Sequence, residues 1–471
     1  MKTKGFRGFL LALAVSLLFC FPSAALAEEG AAEGDADAEM PVTAEVDQPD
    51  EPEETGPAPG VTVTVKLDKV NHQKYINGSN DGLFHPDSSL TRAEAAQIIY
   101  SLITGAAEED ILADTAFSDV ADSAWYAPAV NALAAYGVMS GNEGKFRPAS
   151  NITRAEFVTI LSRFEELSES DKSFTDVSED FWGCRQVISA AEKGWINGYS
   201  DGTFRPNRTL TRAEAVTIIN RVLERYPDYD SISSGAAVRI FPDLDGSHWA
   251  YTQVMEASLS HEYTKYGYSE NWSNVQKEKT VLSAGYHLIG GTLYYVESSG
   301  FFAVNKTEEN HRFDGNGRYT TGNATLDSLM RAETKKFAKD GMSKEQLLKA
   351  AFEHVADMKQ FQYQKMAEIP AGSTGWAEGR AVPMYQNRKG NCYSYASAFY
   401  YLLKNVGYDP EIVSGYVGKK HSAHGWVQLR KNGTPYVYDP ELTMSARKRG
   451  DYSTYLYGVT YNNSMKKYYL T

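Results

Sequence analysis

The sequence predicts a multidomain fold: an all-α region built from repeated units, a short β-rich connecting segment and a C-terminal α+β domain. The chain has 471 residues, 42% of them hydrophobic, and a single core rarely grows past ~250 residues, so more than one is expected. A motif recurs with a period near 60 between residues 61 and 260, which marks a repeated supersecondary unit. Beyond residue 325 the repeat stops, and helical spacing leads into two alternating strands behind a cysteine.

Residues 1–27 carry Lys2, Lys4 and Arg7, an apolar run from Phe9 to Phe21, and then Ala25-Leu26-Ala27. This is the layout of a secretory signal peptide with a small-x-small cleavage site. A membrane anchor is the competing reading, but the run is shorter than the ~20 residues that span a bilayer. Phe19 precedes Cys20, where a lipidated cysteine would follow a small residue. Cleavage would take the net charge from -13 to -16. Residues 28–60 hold twelve of the acidic residues and no Lys or Arg, and such a segment cannot bury enough apolar surface to order itself, so it reads as a disordered acidic linker. No basic stripe exists to neutralise phosphates, which excludes nucleic acid as a partner. No later stretch is long and apolar enough to cross a bilayer, and Lys466 to Thr471 hold no sorting signal. Without a membrane after signal cleavage, retention at the cell surface must come from binding. Cys184 and Cys392 then remain, in different expected domains, so no disulfide is expected.

Residues 61–260 contain the repeats. Asn77–Pro86, Gly141–Pro148 and Asn197–Pro206 are Gly-rich loops, each followed by Thr-Arg-Ala-Glu at 91–94, 153–156 and 211–214; the arginines stand 62 and 58 residues apart. A second marker, Phe-x-Asp with a Trp six residues after the Asp, recurs at Asp119/Trp125, Asp176/Trp182 and Asp243/Trp249. Each unit therefore reads as helix, loop, helix. Thr91, Thr153 and Thr211 are N-caps, and Glu94, Glu156 and Glu214 complete capping boxes. Capping does not explain Arg92, Arg154 and Arg212, since the positive end of the helix dipole disfavours a cation there. Either they await an anionic ligand at the helix N-terminus, or they pair with the nearby glutamates.

These tandem units resemble S-layer homology repeats. The resemblance implies a pseudo-trimer of repeats that binds secondary cell-wall polysaccharide or another peptidoglycan-linked glycan, often acidic and pyruvylated, with Arg92, Arg154 and Arg212 as ligand-binding residues. It also implies a secreted protein held at the cell wall. The first unit lacks its Asp/Trp opening, whereas a fourth opening, Phe241 to about Leu259, follows the third unit. That orphan is expected to pack with the first unit and close the trimer. The middle unit has Glu143-Gly144 and a loop one residue shorter, so the three sites need not bind equally.

Residues 261–325 are rich in Tyr and Gly, and Thr292 to Val296 alternates as a strand does. Gly285 to Tyr295 and Phe313 to Asn323 resemble cell-wall-binding β-hairpin repeats; a plain hairpin spacer is the alternative.

In residues 326–471, Leu326, Met330 and Phe337, then Leu347, Leu348, Ala351, Val355 and Met358, recur at helical spacing, and Ser343 with Gln346 forms a capping box. Cys392 opens a helix whose inner face is Ala396, Phe399, Leu402, Leu403 and Val406, ending at Gly407. A thiolate is favoured at a helix N-terminus, as a nucleophile requires; a buried cysteine acting as a small apolar residue is the alternative. His421 to Leu429 and Thr434 to Pro440 read as a hairpin turning at Lys431-Asn432-Gly433. Its open ends place His424 and Asp439 within reach of each other, so that a carboxylate can fix an imidazole that takes a thiol proton.

The order Cys392, His424, Asp439, with Gly-Asn-Cys, His-x-Trp-Val and Tyr-Asp-Pro, resembles the transglutaminase-like core of the papain-type superfamily over roughly 345 to 471. The resemblance implies that Cys392 is the nucleophile, His424 the general base and later acid, and Asp439 the orienting carboxylate. His421 is the rival histidine but lacks the following x-Trp. Oxyanion donors would be the Cys392 N–H and an upstream side chain, Gln386 by its offset, with Tyr385 and Trp376 as other candidates. The implied activity is cysteine-dependent acyl transfer on peptide or glutamine amides. Water as acceptor makes a peptidase or amidase, and a lysine amine makes a crosslinker. No cofactor is implied. No metal is expected, because His421 and His424 lack a companion ligand at zinc spacing and this domain has no calcium-type acidic loop. A non-catalytic adhesin or scaffold using the same fold is the alternative function.

Overall fold

The computed structural model describes residues 65–104, 117–233, 239–339 and 341–470; the expected signal peptide (1–27) and acidic linker (28–60) lie outside them. The repeat region runs β1 (Lys66–Leu67), α1 (Arg92–Ser101), β2 (Ile103–Thr104), α2 (Ala127–Ala135), α3 (Arg154–Ser162), α4 (Cys184–Glu192), α5 (Arg212–Val222), α6 (Tyr229–Ser233) and α7 (Tyr251–Ser258). The pairing of β1 with β2 makes the region mainly rather than wholly helical. Thr91, Thr153 and Thr211 form complete capping boxes with Glu94, Glu156 and Glu214.

The units are joined by exchange of backbone hydrogen bonds. Leu90 N–H donates to Leu210 O (2.8 Å), Leu210 N–H to Ile152 O (3.0 Å) and Ile152 N–H to Leu90 O (2.9 Å), a closed cycle. Each Gly-rich loop is also held by an opening-motif aspartate. Asp119 accepts from Phe146 and Arg147 N–H at 2.8 Å each, and Asp176 from Phe204 and Arg205 N–H at 2.7 Å each. The first loop has no aspartate of its own, and Asp243 takes that place, accepting from Phe84 N–H at 2.9 Å and His85 N–H at 2.7 Å. Correspondingly, α7 packs on α5 as α2 packs on α1 and α4 on α3. Phe84, Phe146 and Phe204 are fully buried in the resulting core, each stabilising it by about 2–3 kcal/mol.

The hairpin of β3 (Glu262–Tyr266) and β4 (Ser269–Ser273) buries Trp272 in this same core, so the core extends past residue 260. Two further hairpins follow, β5 (Gly285–Ile289) with β6 (Thr292–Val296) and β7 (Lys306–Glu308) with β8 (His311–Phe313). They are not a free spacer. Leu293, Ala303, Phe313 and Tyr319 share one core with α8 (Ala324–Phe337) and α9 (Lys344–Val355), across the boundary expected at 325. The reason is that an isolated two-stranded hairpin is only marginally stable and needs another surface to pack on.

The rest of the chain is β9 (Gln362–Tyr363), α10 (Ala377–Asn387), β10 (Lys389–Gly390), α11 (Cys392–Asn405), β11 (Glu411–Val417), β12 (Ser422–Lys431), β13 (Thr434–Tyr438), α12 (Pro440–Lys448), β14 (Tyr457–Val459) and β15 (Tyr468–Tyr469). The main sheet is antiparallel in the order β14-β13-β12-β11-β15. Ala396, Phe399, Leu402, Leu403 and Val406 of α11 and its C-terminus are buried in the core. The β12–β13 turn has Asn432 and Gly433 at positive φ, 50° and 78°, the geometry of a tight hairpin turn. Among the described residues no helix is long and apolar enough to cross a membrane.

If Asp243 completes the first unit, Asp243→Ala leaves the part-buried Phe84 N–H and the exposed His85 N–H without their acceptor and lowers stability by about 1–2 kcal/mol in denaturant unfolding. A loss below about 0.5 kcal/mol, the level of an ordinary surface change, would show that the fourth opening does not hold the first loop.

Candidate active site

Cys392 occupies the first position of α11, directly after the N-cap Asn391, whose side chain accepts from Ser394 N–H. The first N–H groups of a helix have no intrahelical acceptor, and the local dipole favours negative charge on the sulfur. Residues 366–376 cover this end of the helix. Asn391 Nδ2 donates to Ala367 O (3.3 Å) and Tyr393 OH to Ile369 O (2.9 Å). Ile369, Cys392 and Tyr393 form an apolar cluster with Trp376 against it.

Strand β12 reaches the helix through Gly425. A Cβ there would lie 2.6 Å from Tyr393 Cδ1 and 3.2 Å from its Cα, so only glycine lets the strand come this close. The neighbouring His424 is close enough to Cys392 for the thiol to influence its ionisation, and its Nε2 lies 2.8 Å from Asp439 Oδ2. That leaves Nδ1 as the nitrogen for the thiol. Asp439 ends the next strand as N-cap of α12, with Oδ1 accepting from Leu442 N–H at 3.0 Å. Tyr468 OH donates to Asp439 Oδ2 at 2.8 Å. The carboxylate is thus fixed from three sides and buried, as are His424 and Cys392.

Burial alone would depress the His424 pKa, but the charge of Asp439 and its hydrogen bond, with a further contribution from Cys392, hold it well above the ordinary value. The imidazolium is therefore the favoured form, which suits a ring that must accept a thiol proton and keep it. Glu441 is also buried near the ring, and burial raises its pKa.

The sequence-derived residues fall into two groups. Cys392, His424 and Asp439 converge, while His421 is exposed at a positive-φ position beside Tyr469. Gln386 is exposed on α10, outside the cluster around Cys392. The other upstream candidates are already engaged: Tyr385 OH donates to Ala398 O (2.6 Å) and Trp376 Nε1 to Ser373 O (3.0 Å). Sequence reading missed Tyr468 and Glu441, which no local pattern marks. It also missed Tyr363, exposed and close enough to Cys392 and Glu441 that their charges, after burial, raise its pKa.

Arg92, Arg154 and Arg212 each tie one unit to the next. Their Nε groups donate to Phe146, Phe204 and Phe84 carbonyls at 2.9, 3.0 and 2.9 Å, and their Nη2 groups point at Ser140, Asn197 and Asn77 carbonyls. Nη1 lies 3.4, 3.8 and 3.1 Å from Glu156, Glu214 and Glu94. A structural reason for an arginine at the helix start is thus present in all three units. Arg154 also lines a pocket of about 160 Å³ with Asn197, Glu214, Arg221 and Trp249.

Comparison with known proteins agrees with this division. The family described as S-layer homology domain matches residues 69–96, 116–158 and 173–216, the first match being the short one. The transglutaminase-like superfamily matches residues 333–440. The chain carries both modules. It is 36% identical over 208 residues to Cell surface glycoprotein 1 of Acetivibrio thermocellus, covering 41% of this chain and 9% of that protein. It is 36% identical over 217 residues to the Cellulosome-anchoring protein of the same organism, covering 44% and 46%. To the S-layer protein sap of Bacillus anthracis it is 27% identical over 168 residues, covering 34% and 20%. The chain spans less than half the length of these relatives.

Because the folded pKa of His424 exceeds its ordinary value of 6.5, its protonation stabilises the fold in full below about pH 6.5 and loses that contribution as pH rises through the raised value. His424→Gln should therefore cost about 3 kcal/mol at pH 6 and distinctly less near pH 10. Denaturant unfolding across that range measures this; a pH-independent gap would mean that the ring is not held charged.

Proposed function

We propose that this chain is a wall-anchored cysteine acyltransferase, whose repeats bind a cell-wall glycan and whose C-terminal domain acts on amide substrates. The protein is a secreted cell-surface protein. The observation that carries the catalytic reading is the close approach of β12 to the start of α11 at Gly425 and Tyr393, which sets His424, paired with Asp439 at 2.8 Å, beside Cys392.

In this reading His424 holds the thiol proton as an imidazolium and the thiolate attacks the amide carbonyl carbon. The Cys392 N–H, free of intrahelical bonding, faces the developing oxyanion. As the tetrahedral centre collapses, the C–N bond breaks, His424 gives its proton to the leaving amine, and a thioester remains. Water or a primary amine then attacks the thioester and passes its proton to His424. Cys392 leaves as the thiolate beside the imidazolium, and the product is an acid or a new amide. Asp439 keeps the ring oriented and stabilises its charge throughout.

On the wall side, Trp125 and Trp249, just before α2 and α7, are each 61% exposed, and Trp249 borders the Arg154 pocket. An indole face beside a guanidinium suits an acidic sugar. A bound carboxylate would compete with Glu214 for Arg154, and in the other units with Glu156 and Glu94 for Arg92 and Arg212. The near-complete burial of Cys392 supports a second reading, a non-catalytic adhesin or scaffold.

Two variants separate these functions. Cys392→Ala should lower amide turnover at least ~10³-fold and abolish thiol labelling at this residue, with wall binding unchanged; unchanged function in the variant would favour the scaffold. Incorporation of an amine donor by the unmodified chain marks crosslinking, and release of acid marks hydrolysis. Trp249→Ala should weaken sedimentation with purified cell walls by roughly tenfold, the equivalent of ~1.4 kcal/mol, with unfolding little changed. Undiminished binding would remove the pocket from the glycan site.

A further inference from the structure

Far from the thiol, four side chains turn their ligating atoms toward one point. His72 precedes the first Gly-rich loop, Glu256 lies on α7, His261 sits just before β3, and Glu270 lies on β4. Their exposures are 2%, 0%, 5% and 3%, and their ligand atoms all lie within 4.8 Å of one another. His72 Nδ1 is 3.0 Å from His261 Nε2, 3.3 Å from Glu256 Oε1 and 3.5 Å from Glu270 Oε2. His261 Nε2 is 3.4 Å from Glu256 Oε2. A tetrahedral ion with bonds of ~2.0–2.2 Å separates its ligands by roughly 3.3–3.6 Å; the ring-to-carboxylate distances match this, and the two rings are slightly closer.

One hydrogen bond, between His72 Nδ1 and His261 Nε2, joins the two rings and leaves the inward carboxylate oxygens without one. Both Glu256 oxygens and Glu270 Oε2 are buried without a hydrogen-bond partner, an arrangement that is costly for a charged group. The surrounding contacts orient the groups as ligands. His261 Nδ1 lies 3.1 Å from Leu259 O and donates to it, so Nε2 presents a lone pair inward. Glu270 Oε1 accepts from Tyr226 N–H at 3.1 Å, which leaves Oε2 for the centre. The His72 ring stacks on Tyr263 at 3.8 Å and the His261 ring on Trp272 at 4.0 Å. Arg225, whose Nη1 lies 3.8 Å from Glu256 Oε1, supplies one positive charge against two carboxylates.

The geometry points to a structural zinc site built from His72, Glu256, His261 and Glu270, which ties the start of the first repeat to α7 and to the β3–β4 hairpin. Two imidazoles and two carboxylates suit a borderline ion with no fixed geometric demand, and with all positions filled by protein the site is structural. A shared proton is the rival occupant, since burial pushes the Glu270 pKa up to about 7.

The test uses the full chain carrying Cys184→Ser and Cys392→Ser, so that neither thiolate binds metal, purified without chelator and analysed for zinc by mass spectrometry. One equivalent is expected, and a chelator should remove it and lower the melting temperature. Zn²⁺ but not Mg²⁺ should restore that temperature, and Co²⁺ in its place should show the visible bands of a tetrahedral site. His261→Gln and Glu270→Gln should each weaken zinc binding at least tenfold. Where a variant fails to fold, the cobalt spectrum of the Cys184→Ser/Cys392→Ser chain decides. A chain that holds no zinc and melts alike with and without chelator contains a proton-sharing cluster, and the proposal fails. It fails equally if zinc persists undiminished in both folded variants, because the ion then sits elsewhere, as at His424, Asp439 and Glu441.

Discussion

The candidate site depends on one close approach, the backbone of β12 at Gly425 lying against the ring and Cα of Tyr393. A methyl group there would push the strand off the N-terminal turn of α11 and take His424 away from Cys392. The contact therefore couples packing to the site: the helix offers a thiol at its positively polarised end, and the strand brings the His424 imidazole beside it. Asp439 is set by the same economy of elements, since one carboxylate caps α12, receives Tyr468 and steadies the imidazole. A residue with three such bonds has little freedom to reorient, which is what a positioning carboxylate needs.

A second constraint governs the repeat region. No unit is complete alone, because its helix start is held by a neighbour's carbonyls and the residue before its tetrad, Leu90, Ile152 or Leu210, by its counterpart in the next unit, while the first loop borrows Asp243. Cyclic exchange satisfies these needs only if the last unit meets the first. Asp243 and α7 perform that closure across a sequence separation of 159 residues to Phe84. Closing a long chain loop carries an entropic cost that grows slowly with length, and the buried cluster of His72, Glu256, His261 and Glu270 lies along this seam. Cross-linking of that seam by an ion would act where the ring is otherwise held by backbone hydrogen bonds and packing.

The hairpins between the two modules serve both. Trp272 belongs to the repeat core, while Leu293 and Phe313 belong to the core beneath α11. The residues between the repeats and the C-terminal module therefore extend two cores rather than separating them. Alternation in Thr292 to Val296 announces a strand, but alternation is the same for a strand facing a partner and for one facing solvent.

What the sequence determined by itself was local or repetitive. The three Thr-Arg-Ala-Glu capping boxes, the start of α11 at Cys392 and the turn at Asn432-Gly433 rest on interactions within a few residues, so each was legible in the order of the residues. The pairing of His424 with Asp439 was also legible, because a short hairpin puts the two together. Tertiary structure alone decided what the arginines of the tetrads touch, that Gln386 faces solvent, that Tyr468 returns to Asp439, and that His72 meets Glu256, His261 and Glu270. These outcomes depend on which surfaces pack across long separations, and side-chain partners chosen by burial and shape leave no periodic trace along the chain.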